Sequence, residues 1–263
     1  MKRLVLAILV VLNLGSFACA APPVPMVNWT GFYIGGNVGY GWGLADTDVN
    51  YSRPGSVPDA FTLSNAANLN GIIGGSQIGF NWHTTAKWVF GFEADWQASD
   101  QNGDNTLPNQ PYTVPPFTTA SIQITSESKI LWFATLRGRV GYAWDRWLLY
   151  ATGGVAFGRV NMSGTVTDSG VVTPPGPTFI FSDSLPFNAA STNTGWVAGG
   201  GIENAFTENW SWKIEYLYLD LGSLDATVEN GPTYVNELTT IHTNFRNHIV
   251  RAGLNFKFGG PMR

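Results

Sequence analysis

The segment from His248 to Phe258 reads HIVRAGLNFKF and alternates strictly between two kinds of side chain. Positions of one parity are almost wholly apolar and end in Phe256 and Phe258, whereas the other parity carries Arg251 and Lys257. Because successive side chains of a strand point to opposite faces, this segment is a strand with one apolar and one polar face. A soluble β-sandwich shows the same alternation, so the number and spacing of such strands decide the fold.

The composition suits a surface that lies only partly in water. Charged residues make up 12% of the 263 residues, about half the share of an ordinary soluble domain. The chain also contains 11 Trp and 31 Gly.

The first twenty residues have the pattern of a secretory signal peptide. Lys2 and Arg3 precede nine apolar residues, 4–12, a run too short to span a bilayer. An Ala-Cys-Ala sequence then ends at Ala20, which predicts cleavage after Ala20. The alternative is a lipoprotein signal that uses Cys19, although such a signal prefers Leu at the position where this chain has Ser16.

Cleavage after Ala20 has two consequences for the remaining chain. It leaves no cysteine, so an exported protein forgoes disulfides. It also leaves 12 basic against 18 acidic residues, a net charge of −6, which disfavours a nucleic-acid partner. No other stretch approaches 18 consecutive apolar residues, so no membrane-spanning helix is expected.

Eight segments share the alternation of the last strand, and most of them are 11 to 17 residues long. They are Gly31 to Gly43, Gly71 to Trp82, Trp88 to Gln97, Ser128 to Trp144, Trp147 to Val160, Thr194 to Phe206, Trp210 to Leu221 and His248 to Phe258. A strand that crosses a bilayer at a tilt needs about 9–11 residues. The connections alternate between long and short, as in antiparallel barrels with short periplasmic turns and long external loops.

The sequence therefore predicts an all-β fold, an eight-stranded antiparallel transmembrane up-and-down β-barrel over residues 31–258. A Pro-rich periplasmic lead-in, 21–30, precedes the barrel and a short tail, 259–263, follows it. The polar stretches 44–70, 99–127, 161–193 and 222–245 are predicted as the long loops. An even number of strands places both chain ends in the periplasm, so the long loops should face outside and the three short turns the periplasm.

The tryptophans sharpen this prediction because they lie near the ends of the predicted strands. Ten of them should form two aromatic girdles at the membrane–water interfaces: Trp42, Trp82, Trp88, Trp96, Trp132, Trp144, Trp147, Trp196, Trp210 and Trp212. Trp29 is also placed at the short-turn end. Core Trp in a soluble fold would have no reason to avoid strand centres.

The inward parity carries a nearly balanced set of charges. Its members are Glu93, Asp95, Arg137, Arg139, Glu203, Lys213, Glu215, Arg251 and Lys257. Eight strands leave an interior just wide enough for side chains, and buried charges are tolerable only when paired. We therefore interpret these residues as a structural plug, with inward glycines such as Gly79 and Gly141 leaving room for them. A narrow passive channel for ions or small solutes is the alternative.

No motif for catalysis, cofactor binding or metal binding stands out, and none of these is predicted. The glycine clusters lie inside strands with no following helix, unlike dinucleotide loops. No Ser is placed by the sequence beside a His with an acidic partner, so a lipid-A deacylase of the Ser–His kind is not expected. His242 and His248 flank the end of the last loop, where a surface metal or haem contact is the alternative.

The stretches WTGFYIGGNVGYGWG (29–43), WVFGFEADW (88–96), LRGRVGYAW (136–144) and VRAGLNFKFGG (250–260) are similar to a known family. They resemble the alphaproteobacterial outer membrane immunogenic protein or porin-family β-barrels, which have an OmpA-like eight-stranded membrane domain. The resemblance implies outer-membrane residence and surface-exposed, antigenic loops. Expected partners are outer-membrane lipids, lipopolysaccharide and the barrel-assembly machinery, while an adhesin or receptor role for the loops stays open.

Overall fold

The computed structural model describes residues 27–116, 118–229 and 238–258. The predicted signal peptide with its cleavage after Ala20, most of the lead-in and the tail lie outside these residues. The described chain forms antiparallel strands: β1 (Gly31–Ser52), β2 (Ala60–His83), β3 (Trp88–Thr106), β4 (Gln110–Val114), β5 (Thr118–Trp144), β6 (Trp147–Val172), β7 (Phe179–Ala205), β8 (Trp210–Glu229) and β9 (Leu238–Lys257). It contains no helix long and apolar enough to cross a membrane.

Eight long strands close into a ring. β1 pairs with both β2 and β9, and β3 pairs with β2 on one side and with β5 on the other. The remaining neighbours pair in sequence order from β5 to β9. The short β4 pairs along β5 beyond the end of β3 and is not a member of the ring. The predicted all-β antiparallel barrel is confirmed, with β4 as an unpredicted ninth strand.

The three tight connections lie where the sequence places them. β5 and β6 are joined by Asp145 and Arg146 alone, with Trp144 opposite Trp147. Lys87 ends the β2–β3 turn with a positive φ of 67°, and Asp145 has a φ of 53°. We call the end of the barrel that carries these turns the turn end.

The predicted long loops are wrong, because most of their residues belong to strands. β5 is 27 residues long and β7 is also 27. Since a strand needs about 9–11 residues to cross a bilayer, more than half of each of these strands would lie beyond a membrane. We call this outer part of the strands the extension.

Alternation between buried apolar and exposed polar side chains explains why these stretches were predicted as loops. In the extension, Val49, Leu69 and Ile122 point inward and are fully buried, while their neighbours Asn50, Asn68 and Gln123 are exposed. A strand with one face in water shows a polar residue at every second position, which resembles loop composition. Prolines within its strands occupy edges, where a missing N–H breaks no ladder: Pro111 lies in β4 and Pro186 in β7.

The extension is not a continuation of the closed barrel, since the ring opens along two seams. Pairing of β2 with β3 ends at Asn70 and Asn102, and that of β7 with β8 ends at Trp196 and Asp220, among the described residues. The first sheet therefore contains β2, β1, β9 and β8. The second contains β3, β5, β6 and β7, with β4 beside β5.

The two sheets of the extension enclose an apolar core. Across it, the Thr243 hydroxyl donates to Met162 Sδ at 3.3 Å, and the rings of Tyr51 and Tyr112 lie 6.0 Å apart. Phe245, which is 1% exposed, belongs to this core. The extension is therefore a β-sandwich built on top of the barrel, and burial of apolar side chains stabilises it.

A polar contact closes the tip of the sandwich. Arg53 Nη1 donates to the Tyr112 hydroxyl at 2.8 Å, and that hydroxyl donates to the Asp168 carboxylate at 2.7 Å. Burial first, and then the bond to Asp168, raise the pKa of Tyr112 well above its usual value near 10. The Arg53 side chain is only 16% exposed, so trypsin added to cells should cut poorly there.

We expect the tip of the β6–β7 hairpin to face outside the cell and the turn end to face the periplasm. Thr173→Cys, at the exposed tip, should react with a membrane-impermeant maleimide on intact cells. Ala86→Cys, in the exposed β2–β3 turn, should react only after the outer membrane is permeabilised. The natural chain offers a low background because Cys19 is its one cysteine. Labelling of Ala86→Cys on unbroken cells would reverse the orientation.

Candidate functional site: a buried charge layer

Eight acidic and basic side chains meet inside the barrel below the extension, on the inward-facing positions of five strands. β3 contributes two acids and β5 two bases, while β7, β8 and β9 supply the rest. The members are Glu93, Asp95, Arg137, Arg139, Glu203, Lys213, Glu215 and Arg251, each 5% exposed or less. Four acids face four bases, so this charge layer is neutral as a whole.

Glu93 is the centre of the layer. Lys213 Nζ donates to both of its carboxylate oxygens at 2.8 Å, and Arg137 Nη2 donates to Oε1. The Tyr33 hydroxyl donates to Oε2 at 2.7 Å. Arg137 reaches Glu93 because the two residues are direct cross-strand neighbours on β5 and β3.

Two arginines link the other carboxylates to this centre. Arg137 Nη1 donates to Glu215 Oε1 at 2.9 Å, and its Nη2 also lies 2.9 Å from Asp95 Oδ2. Arg251 Nε donates to Glu215 Oε2 at 2.7 Å, while its Nη2 donates to Asp95 at 3.1 Å. The planar forks of the two guanidinium groups thus join three acids, a geometry that lysine does not provide.

Glu203 extends the layer toward the turn end. Arg139 Nη2 donates to Glu203 Oε2 at 2.8 Å, while Ser211 and Asn255 donate to Oε1 at 2.6 and 2.8 Å. The Arg139 guanidinium also lies 4.0 Å from the ring centroid of Tyr150. Every carboxylate of the layer therefore accepts several bonds, which buried ions require.

Lys257 was predicted as a member of the charge layer, but the structure places it elsewhere. It is the last residue of β9, at the rim of the turn end, where its Nζ donates to the backbone oxygen of Asn28. Its side chain reaches the rim because β9 continues past the layer by six residues from Arg251. The prediction used the alternation of side chains along β9 and took no account of how far along the barrel axis each residue lies.

Sequence reasoning missed the neutral side chains that complete the layer. The hydroxyl of Thr135 donates to Asp95 Oδ2 at 2.8 Å, and that of Tyr150 donates to Glu215 at 3.1 Å. Tyr33, Ser211 and Asn255 act similarly. All five lie on the inward parity of their strands, so parity was the signal that could have identified them.

Glycines make the room for the long side chains. A Cβ at Gly79 would lie 2.4 Å from the Tyr33 ring, and one at Gly39 would lie 2.6 Å from Arg251 Cβ. Any larger residue would therefore displace a member of the layer or its partner. This matches the prediction that inward glycines leave space for the charges.

Residues 27–30, which precede β1, pack into the mouth of the barrel at the turn end. Trp29 was placed with the girdle by its sequence position, but it is only 4% exposed and packs inside the barrel. It lies in an apolar cluster with Val89, Ala143, Leu148 and Ala205. Residues 27–30 therefore lie in the mouth of the barrel, where the Trp29 indole packs against these apolar side chains.

The family of outer membrane protein beta-barrel domains matches this chain over residues 9–258. The chain belongs to this family. Membership makes it an outer-membrane β-barrel protein, as the sequence resemblance implied.

Two outer-membrane proteins are similar in sequence to this chain over most of its length. The 31 kDa outer-membrane immunogenic protein of Brucella melitensis is 32% identical over 92% of this chain and 88% of its own length. The 22 kDa outer membrane protein of Rhizobium leguminosarum is 27% identical, over 90% and 82% of the two chains.

Among solved structures, the outer membrane protein OprG of Pseudomonas aeruginosa is similar over 88% of this chain and 98% of its own. The identity is 12% and the TM-score 0.37. The fold assignment therefore rests on strand pairing and family membership rather than on this likeness.

In this outer membrane β-barrel, all ten predicted girdle tryptophans lie outside the lumen. Trp82 is 63% exposed near the turn end and Trp96 is 50% exposed toward the extension. We call the outward surface between the two sets of Trp the belt; it carries apolar residues such as Phe92 and Ile78. Four of the tryptophans, including Trp42 and Trp196, are not at strand ends, because the strands continue into the extension.

The two histidines singled out by the sequence do not meet in this outer membrane β-barrel. In the extension, His242 Nδ1 lies 2.5 Å from Asp225 Oδ1. His248 Nδ1 instead shares a hydrogen bond of 2.7 Å with the Tyr216 hydroxyl. His248 also stacks on Trp42, with the rings 5.9 Å apart. Within the described residues, no group of three His, Cys, Asp or Glu could hold a metal ion.

Proposed function

We propose that this protein is a structural, surface-exposed component of the outer membrane that neither conducts solutes nor catalyses a reaction. The observation that carries the proposal is the charge layer, whose hydrogen bonds link β3, β5, β7, β8 and β9 to one another across the lumen. Moving any member aside would break several charge-assisted bonds at once, which is costly in a water-poor interior.

Two further barriers support a closed lumen. Trp29 and its apolar partners fill the mouth at the turn end. Beyond the charge layer, the apolar core of the extension begins with residues such as Phe133 and Ile249, neither of which is measurably exposed. A solute would have to pass all three barriers.

The extension supplies the surface-exposed part of the proposed function. Its outward positions carry short polar and acidic side chains, for example Asp48, Ser64 and Thr125. A rigid sandwich presents these residues at fixed spacings, unlike a set of mobile loops. This favours a stable surface structure, and immunogenic is the word in the names of the Brucella relatives.

The narrow channel has one observation in its favour. Next to the charge layer, Asn37 Oδ1, Gln97 Oε1, Gln101 Nε2 and Arg251 Nη1 are buried without a hydrogen-bond partner among the described residues. Buried polar atoms are normally bonded, so this level of the lumen has places for bound water. A few enclosed waters do not by themselves connect the two ends.

Planar-bilayer recording tests the proposal. The purified protein should give no stable conductance steps, because the lumen is closed at three levels. Removing only the mouth residue, by Trp29→Ala, should also give none, since the charge layer stays in place. Reproducible single-channel steps from the unmodified protein would overturn the closed-lumen proposal in favour of the channel.

A further inference from the structure

The hairpin that joins β6 to β7 ends in an apolar surface, residues 171–180, which we call the hairpin tip. In its ladder, Val171 and Val172 lie opposite Ile180 and Phe179. Ile180 is 83% exposed and Phe179 is 60% exposed, whereas the outward positions further along β7 carry mostly short polar side chains. Large apolar side chains that gather on an exposed surface mark a site of interaction.

The hairpin tip is uncharged, and so are the residues next to it in the sequence. No charged residue occurs between Asp168 and Asp183, and no Lys or Arg occurs between Arg159 and Lys213. The hairpin therefore has no cation with which to bind an anionic surface. An uncharged segment enters an apolar medium without the cost of desolvating an ion. The hairpin tip thus suits a partner that is apolar and has no net charge.

The connection at the end of the hairpin has few backbone donors. Residues 173–178 read TPPGPT, and three of the six, Pro174, Pro175 and Pro177, have no N–H group. An N–H group that enters hydrocarbon finds no acceptor and costs free energy, whereas a protein surface offers it carbonyl groups. The composition of this connection therefore favours hydrocarbon as the partner.

The hairpin tip projects from the far end of the extension. Phe181 packs against the apolar core and fixes the base of the hairpin, while a Cβ at Gly176 would meet no described atom within 4 Å. From Trp196, in the girdle nearer the extension, to Phe179, β7 advances about 17 residues. At about 3.3 Å per residue and a tilt of about 35–45°, the hairpin tip lies roughly 40 Å beyond that girdle. The membrane that holds the barrel is therefore out of its reach.

We propose that the hairpin tip inserts into the surface of a second bilayer made of zwitterionic phospholipid, so that the protein attaches its cell to another membrane. The inference rests on the proposed exposure of the extension outside the cell. Phe179 and Ile180 enter the boundary between headgroups and acyl chains, with Val171 beside them. Zwitterionic headgroups suit this contact because the hairpin offers no cation to anionic ones.

A fluorescent label at the hairpin tip tests the insertion. Thr178→Cys, in the full chain held in a lipid nanodisc, would carry a label whose emission depends on polarity. Addition of phosphatidylcholine vesicles should shift the emission to shorter wavelength, and nitroxides on the acyl chains should quench it. Ser184→Cys is the matched control, because this exposed position on β7 lies about 13 Å from Ile180, further from the tip, and should show neither change.

Two double variants test which side chains carry the contact. Phe179→Ser with Ile180→Ser should fold, since both side chains are already exposed, and should weaken partition into the vesicles about tenfold. Phe179→Leu with Ile180→Leu keeps large apolar side chains and should stay within about twofold of the unmodified protein. Partition should persist in ~1 M salt, where charges act over only about 3 Å.

Several outcomes would overturn the proposal. They are an unchanged label at Thr178→Cys, equal changes at both labelled positions, equal partition of the two double variants, and tighter binding to phosphatidylglycerol than to phosphatidylcholine. A shift that needs no vesicles and grows with protein concentration would assign the hairpin tip to a second copy of the chain. A shift that requires membrane proteins in the vesicles would assign it to a protein partner.

The proposed function can fail separately from this inference. Conductance of the unmodified protein would overturn the closed lumen and leave the vesicle result unchanged. Labelling of Ala86→Cys on intact cells would reverse the orientation, even if the purified protein still inserted its hairpin tip into vesicles.

Discussion

Replacing Arg137 by Met should lower the free energy of unfolding by roughly 3–5 kcal/mol, because it removes one cation from a buried, neutral layer. Arg137 is 1% exposed and contacts Glu93, Asp95 and Glu215. Met fills a similar volume, so the loss would report the uncompensated carboxylates and not a cavity. Urea unfolding in lipid vesicles, followed by Trp fluorescence, measures the change.

The matched control is Arg246→Met, on the outer face of the extension. Arg246 is 54% exposed, and its nearest carboxylates, Asp46 and Asp220, are 3.6 and 4.0 Å away. An exposed pair of this kind contributes about 0–1 kcal/mol. The double change Glu93→Gln with Arg137→Gln should recover part of the loss by restoring neutrality. If Arg137→Met and Arg246→Met cost the same, the interior is hydrated and the closed-lumen proposal fails.

The second large effect is expected in the extension. Phe245→Ala should cost about 3–5 kcal/mol, because it leaves a cavity between two packed sheets. Phe245 is 1% exposed and belongs to the apolar core between the sheets. The same variant should make the extension sensitive to trypsin on intact cells, with cleavage at Lys129 or Arg159.

Phe92→Ala is the control for this experiment, since the same ring is removed from a position where no cavity can form. Phe92 is 70% exposed on the belt, where lipid fills the vacated space. Its effect should be much smaller and should leave the extension resistant to trypsin. An extension made of mobile loops would show neither loss of stability nor new cleavage in Phe245→Ala.

The turn end could be predicted in detail because its signals are local. The two-residue turn at Asp145 and Arg146 separates two alternating segments, and the apolar residues occupy even positions before it and odd positions after it. No tertiary contact is needed to recognise such a turn. The pairing of Glu93 with Arg137 could also be anticipated, since adjacent antiparallel strands bring inward residues together. The position of each residue along the barrel axis could not be predicted from alternation, and Lys257 was therefore assigned to the layer.

The extension and the mouth could not be predicted because their signals are not local. Val49 and Ile122 reveal an apolar face only when a second sheet is known to cover it, and alone they lie among polar residues. Trp29 resembles a girdle residue until the fold supplies Leu148 and Ala205 as partners. In both cases tertiary packing overrides the local composition.

The two seams decide whether the outer sandwich can exist apart from the membrane. Its first sheet joins β1 and β2 to β8 and β9, and the β1–β9 pairing runs from Tyr33 with Lys257 to Ser52 with Leu238. The first and the last described strands, β1 and β9, therefore pair within one sheet, and no continuous piece of sequence contains that sheet. A soluble fragment that reproduces the exposed surface would need its segments rejoined in a new order, with a linker replacing the bilayer-crossing part of each strand.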